Sequence, residues 1–406
     1  MLGSLGTYIL LLLAVAIGWL LGRLTLVRKN SSQHRPQELF ADYFVGLNYL
    51  LNDEPDEAID TFIKALEINS ETIETHLALG ALLRRRGKVD KAIKVHQALL
   101  ARPGLDSEFA DATRLQLSVD YVSAGLLDRA ERLLNELLIA DSPAKAEALK
   151  QLITIYQTEK EWERAIQCCG QLVAIPGHKK DVEIRAAAAH YCCELAEEFL
   201  AQNQSNKARN EVKRAFEFNR KSVRACLLLA KVEHRLGNIR AAIKELIGVL
   251  SSNPEFVSQI LPPLADYYRH TGKLDEYEKL LRNTLREHSD VSLVLALTEL
   301  IASRSGAAAA YNFLNTHVQQ EPALVTLLEL MRLQVPAADE KITHNLRLLQ
   351  EMITGLLQKK PAYQCHHCGY ESRTLYWLCP SCQKWDEIKP IAEVILFKAD
   401  ALQGVG

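Results

Sequence analysis

Apolar residues recur at three- and four-residue steps through most of this chain and seldom alternate, a pattern that predicts helices and few strands. Sliding the sequence against itself exposes a period close to 34 residues. Ala58, Ala92, Ala130, Ala165, Ala208, Ala242, Tyr277 and Ala310 each open the second half of an amphipathic pair, mostly 33 to 38 residues apart. The longest interval, Ala165 to Ala208, requires an insertion, expected in the loop around Pro176-Gly-His-Lys-Lys180.

On the first helix of each pair a small or apolar doublet recurs, as in Val45-Gly46, Leu79-Gly80, Leu229-Ala230 and Leu264-Ala265. A large residue follows three later in most units: Tyr49, Leu83, Tyr121, Tyr156, Phe199, Tyr268. Two antiparallel helices approach closely only where small residues meet, and large ones fill the gaps between units. This is the tetratricopeptide pattern. Arg86-Gly-Lys-Val-Asp90, Leu236-Gly-Asn238 and Thr271-Gly-Lys-Leu-Asp275 each read as a helix stop followed by a start. About eight such pairs are expected over residues 38–340, the last two degenerate, stacked into a superhelix whose groove holds a protein or peptide. The run Arg84-Arg-Arg86 could bind a carboxylate or a phospholipid surface, but a charge run of this kind is expected to be a solvated face.

Two stretches break the pattern. Residues 1–22 carry no charged side chain and contain the apolar run Tyr8 to Leu21, a stretch long enough for the ~20 residues of a membrane-crossing helix. Arg23, Arg28 and Lys29 follow it, so the positive-inside rule places the rest of the chain in the cytoplasm. A signal peptide, with Ala14-Val-Ala16 as cleavage site, lacks its basic n-region. Residues 23–37 read as a juxtamembrane linker.

The second break lies beyond an amphipathic helix over 341–360. Cys365, Cys368, Cys379 and Cys382 form two CxxC pairs separated by ten residues. Each pair turns two thiolates toward one ion, and two such knuckles complete a closed tetrahedron. Soft thiolates accept iron or zinc, and the spacing leaves the choice open. His366 and His367 are expected to face solvent, and Tyr370, Tyr376, Trp377 and Trp385 to form the apolar body of a module too small to fold without its metal.

Composition narrows the functional classes. Among 406 residues there are only 13 prolines and 19 glycines, with a formal net charge of −2, which fits helices and provides no basic field for nucleic acid. The five remaining cysteines, Cys168, Cys169, Cys192, Cys193 and Cys226, are scattered at helical spacing and read as small core residues in a reducing compartment. No phosphate loop, GxSxG or HExxH motif occurs. No catalytic residue and no organic cofactor site is expected, and the protein reads as a non-enzyme.

The anchor, the repeat array starting at Asp42-Tyr-Phe-Val-Gly-Leu-Asn-Tyr-Leu-Leu51, and Leu375-Tyr-Trp-Leu-Cys-Pro-Ser-Cys382 with Ile388-Lys-Pro390 together resemble the lipopolysaccharide assembly protein B family. Tyr156-Gln157 and Glu161-Trp162 add to the likeness. The resemblance implies an all-α fold: a tetratricopeptide-repeat superhelix with an N-terminal transmembrane helix and a small C-terminal rubredoxin-like metal module over 361–390. It implies Cys365, Cys368, Cys379 and Cys382 as ligands of one iron or zinc ion, in a module docked on the last repeats. It further implies an inner-membrane adaptor of Gram-negative bacteria that promotes degradation of LpxC by the protease FtsH, opposed by a membrane partner of the PbgA/YejM type. A rubredoxin-like electron carrier and a general scaffold for envelope assembly remain as alternatives. The tail 391–406 exceeds the family pattern and has no assigned role.

Overall fold

The computed structural model describes residues 73–140, 142–334 and 340–391, with isolated positions 19, 45, 46, 48, 49 and 61. Apart from those positions, the expected anchor, the linker, the pair around Ala58 and the tail beyond 391 lie outside the described residues. Among the described residues no helix is long and apolar enough to cross a membrane.

Two compact units divide the chain, residues 1–155 and 156–406. The first holds α1 (Ile73–Arg85), α2 (Val89–Leu100), α3 (Ser107–Ser123) and α4 (Leu127–Ile139), and α5 (Lys145–Glu159) carries the boundary. The second holds α6 (Trp162–Ala174), α7 (Val182–Ala201), α8 (Ser205–Phe218), α9 (Val223–Arg235), α10 (Ile239–Ser252), α11 (Val257–Thr271), α12 (Leu274–Glu287), α13 (Val291–Ser305), α14 (Ala307–Gln320), α15 (Leu324–Gln334) and α16 (Glu340–Lys359). A 3-10 turn at Pro254–Phe256 precedes α11, and β1 (Tyr363–Cys365), β2 (Glu371–Ser372) and β3 (Ile388–Pro390) follow α16.

The periodic small residues act as the pattern requires. Ala92, Ala130, Ala165, Ala208, Ala242, Tyr277 and Ala310 stand fourth in α2, α4, α6, α8, α10, α12 and α14, and all are buried. Glycine serves the same purpose from the other side: a Cβ on Gly80 in α1 would collide with the His96 ring of α2. Around them, Leu246, Ile260, Leu264, Leu281 and Leu293 belong to one continuous core in the second unit.

The large residues three positions on have a second task. The carbonyls of Leu83, Tyr121, Tyr156, Phe199 and Tyr268 accept hydrogen bonds of 2.8 to 3.1 Å from the amides five residues later, the long bond of a Schellman stop. Each stop passes through a left-handed residue: Gly87, Gly125, Lys160, Asn203 and Gly272. The residue whose large side chain marks the repeat thus also closes its helix, through its backbone carbonyl.

Two expectations need correction. Arg84 is not a solvated charge: its guanidinium lies 2.5 Å from Oδ1 of the fully buried Asp120 and donates to Gln116 Oε1 at 2.9 Å, tying α1 to α3. Asp120 Oδ2 lies 2.5 Å from Nδ1 of buried His96, so three helices share one buried polar knot. The extra residues between Ala165 and Ala208 do not all sit in the 175–181 loop, because α7, at 20 residues, is long as well.

Candidate metal centre and its docking face

Two short turns of the same design gather the four cysteines. In the first, the Cys365 amide donates to the Tyr370 carbonyl at 2.8 Å and the Gly369 amide to the Cys365 carbonyl at 2.9 Å. In the second, the Cys379 amide donates to Lys384 and the Gln383 amide to Cys379, both at 2.9 Å. Each turn is completed by a left-handed residue, Gly369 at φ 76° and Gln383 at φ 56°. A three-stranded antiparallel sheet in the order β2-β1-β3 holds the first turn, with Cys365 paired to Ile388.

This construction places the sulfurs of Cys365 and Cys382 3.8 Å apart and those of Cys368 and Cys379 3.7 Å apart. All four lie within 4.8 Å of one another. A metal–sulfur distance of about 2.3 Å gives a tetrahedron with edges of about 3.8 Å, so the quartet is sized for one tetrahedral ion. Four thiolates this close repel one another and ionise together only around a cation. The backbone amide of Tyr370 favours the charged form at one corner, holding the Cys368 thiol down at about 7. Cys365 and Cys379 are buried, Cys382 is half-buried and Cys368 is exposed. His366 and His367 are exposed and stand outside the quartet.

Of the five other cysteines, Cys169, Cys192, Cys193 and Cys226 are held in the thiol form by burial. Burial pushes the Cys169 and Cys192 thiols up to about 12 and Cys226 to about 11, so they stay protonated.

The aromatic residues divide differently from expectation. Tyr370 packs inside the module with Tyr363, Leu375 and Ile388, while Tyr376 is exposed. The two tryptophans turn outward onto the helices. Trp385 stacks on His190 of α7 with ring centroids 4.6 Å apart and meets Tyr191 edge-on at 5.8 Å. Its indole N–H donates to Gln157 Oε1 at 2.9 Å, and the Tyr191 hydroxyl donates to the same oxygen at 2.7 Å. Trp377 stacks on Phe256 at 5.7 Å, and Tyr363 shares a 2.5 Å hydrogen bond with Gln259 of α11.

Charge follows the same surface. Asp386 Oδ2 lies 2.9 Å from His190 Nε2. Burial by itself raises the Asp386 carboxyl, but the His190 hydrogen bond and the charges of His190, Lys389 and Arg224 outweigh it and hold the group below the usual carboxylate range. Arg224 of α9, almost wholly buried, pairs with Glu194 at 2.8 Å and Glu197 at 3.1 Å while its guanidinium faces the Trp385 ring at 5.8 Å.

The module is therefore seated on the end of α5 and on α7, α9 and α11, which are first helices of successive pairs. The expected place was the last repeats. One signal for the true seat is present in the sequence: Ala186-Ala-Ala-Ala-His-Tyr-Cys-Cys193 leaves the middle of α7 without a charged residue on any side, and a helical stretch that is apolar all round is covered all round. Nothing comparable marks Gln157, Arg224 or Gln259.

A family model described as a rubredoxin metal binding domain matches residues 363–390, and a tetratricopeptide repeat model matches 75–108, which span α1 and α2. "Lipopolysaccharide assembly protein B" of Escherichia coli (strain K12) is 34% identical over 385 residues, covering 95% of this chain and 97% of that protein. The protein of the same name from Haemophilus influenzae is 34% identical over 396 residues, covering 95% of this chain and 98% of its own. A crystal structure of a tetratricopeptide repeat protein from Parabacteroides merdae is 15% identical over 70% of this chain and all of that one, with a TM-score of 0.34.

Proposed function

This chain belongs to the lipopolysaccharide assembly protein B family, and from that membership we propose that it is an inner-membrane adaptor restraining lipopolysaccharide synthesis. In this reading it promotes FtsH-dependent proteolysis of LpxC, with a PbgA/YejM-type partner acting on the anchor. Residues 1–22 are the single span, and the linker 23–37, the repeats 38–340, the connecting helix 341–360 and the metal module 361–390 lie on the cytoplasmic side. The observation that carries it is identity running end to end through repeats and metal module alike.

The geometry supports a binding role for the repeats and a structural role for the metal. Cys365, Cys368, Cys379 and Cys382 fill a tetrahedral shell with iron or zinc, and a filled shell leaves no position for substrate. Membrane anchoring concentrates the adaptor where FtsH acts, raising effective concentration without new contacts. Because the module covers parts of α7, α9 and α11, partner capture in this reading falls to the first helices it leaves uncovered and to its own outer surface. Depleting the protein tests the proposal: LpxC and lipopolysaccharide should both rise on immunoblot and sugar assay, and unchanged LpxC would refute it.

One observation keeps electron transfer as a second reading, namely that Cys368 is an exposed residue of the quartet. Metal analysis with visible spectroscopy separates the two, since a carrier requires iron and a reversible couple.

A further inference from the structure

The four cysteines of the quartet are unequally protected. Cys365 and Cys379 are buried, Cys382 is half-buried, and Cys368 alone is exposed. The residues around it open the same side: His366, His367 and Gly369 in the first turn and Pro380 and Ser381 in the second are all exposed. An oxidant in solution therefore meets Cys368 before any other ligand. The Cys379 sulfur, in a fully buried residue of the other turn, lies 3.7 Å away. A disulfide needs about 2.05 Å between sulfurs, so this pair closes with less than ~2 Å of movement. An accessible thiolate with a second cysteine close behind it is the arrangement that reversible thiol oxidation requires. Cys168, Cys169, Cys192 and Cys193 are buried in the helices and do not compete for the oxidant.

The turn that holds Cys379 also leads into the docking contacts. Its two hydrogen bonds, to the Lys384 carbonyl and from the Gln383 amide, fix the backbone immediately before Trp385 and Asp386. Trp385 then donates to Gln157 at 2.9 Å, and Asp386 Oδ2 lies 2.9 Å from His190 Nε2 on α7. A displacement of Cys379 thus passes directly to the seat of the module.

We propose that Cys368 and Cys379 form a peroxide-sensitive pair whose oxidation opens the metal shell and unseats the module from α7. The Cys368 thiolate attacks one oxygen of the peroxide, the O–O bond breaks, and hydroxide leaves a sulfenic acid on Cys368. The Cys379 thiolate attacks that sulfur and displaces a second hydroxide. Two thiolates have then given two electrons to one peroxide, and the product is one disulfide. The shell loses two of its four donors, and Cys365 and Cys382 cannot hold the ion alone. This chemistry needs the quartet and its seat but not the adaptor role.

The purified full chain, loaded with zinc and exposed to hydrogen peroxide, tests this. Zinc release is read with a chromogenic chelator, cysteine pairing by peptide mass spectrometry, and seating by proteolysis within 361–391. The three should rise together, with the disulfide between Cys368 and Cys379, and a thiol reductant with added zinc should reverse them. Cys368→His keeps four zinc donors and should slow release at least ten-fold with resting zinc content unchanged. Should that variant bind no zinc, the disulfide map of the parent decides. Zinc retained under peroxide, a first disulfide through Cys365 or Cys382, equal release from Cys368→His, or unchanged proteolysis after zinc is lost would each overturn the proposal.

Discussion

Trp385 lies on His190 with the rings 4.6 Å apart and 12° from parallel, while the neighbouring Asp386 carboxylate takes Nε2 of the same imidazole at 2.9 Å. One histidine on α7 thus receives both an aromatic face and a charge from the metal module. Trp385→Ala should lower unfolding stability by about 3 kcal/mol through lost packing. Bound metal should persist, because the four cysteine turns are made within the module. Calorimetry and metal analysis on the same preparation check both halves.

The Asp386 carboxyl is held below its ordinary range in the folded protein. A carboxyl depressed by folding binds fewer protons folded than unfolded, so its stabilisation is full above the unfolded value of about 4 and fades as pH falls through the lower folded value. Asp386→Asn should therefore be less stable than the parent at neutral pH, and the difference should shrink below about pH 4. Denaturant titrations of the two proteins across that range measure the difference directly, and a constant gap would contradict the assignment.

Lys160 and Asn203 both sit at φ 59° where other units place glycine. A left-handed backbone costs most L-residues about 1 kcal/mol, less for asparagine. Lys160→Gly should raise stability by a fraction of that figure, and Asn203→Gly by less. Gly272→Ala, at φ 66°, should lower it. Matched unfolding curves of the three variants give the order.

Cys379 is fully buried at the centre of the second turn. Cys379→Ser, or chelation of the parent, should abolish the metal and release the module from α7, α9 and α11. Proteolysis within 361–391 should accelerate many-fold and fluorescence of Trp377 and Trp385 should shift to the red. The helices of the first unit, including the Arg84–Asp120 knot, should keep their protection against hydrogen exchange.

Local features of this fold were readable before any coordinates. The small residues at Ala92, Ala208 and Ala242 are legible because close helix packing tolerates little else, and the cysteine quartet because metal geometry restricts spacing. Docking was not legible. Trp377 and Trp385 look like core residues of a small module, and only the fold turns them outward onto Phe256 and His190. Arg84 looks like surface charge because its partner Asp120 is 36 residues away on another helix. Contacts over such distances leave no local periodicity, so Gln157 and Arg224 carried no signal of their place at the interface.

The adaptor role is tested most directly by the lifetime of LpxC after protein synthesis is blocked, in cells with and without this chain and with FtsH active. The account predicts a longer LpxC half-life when the chain is absent, restored to normal by the parent and not by Cys379→Ser. An LpxC half-life that is the same with and without the chain would contradict it.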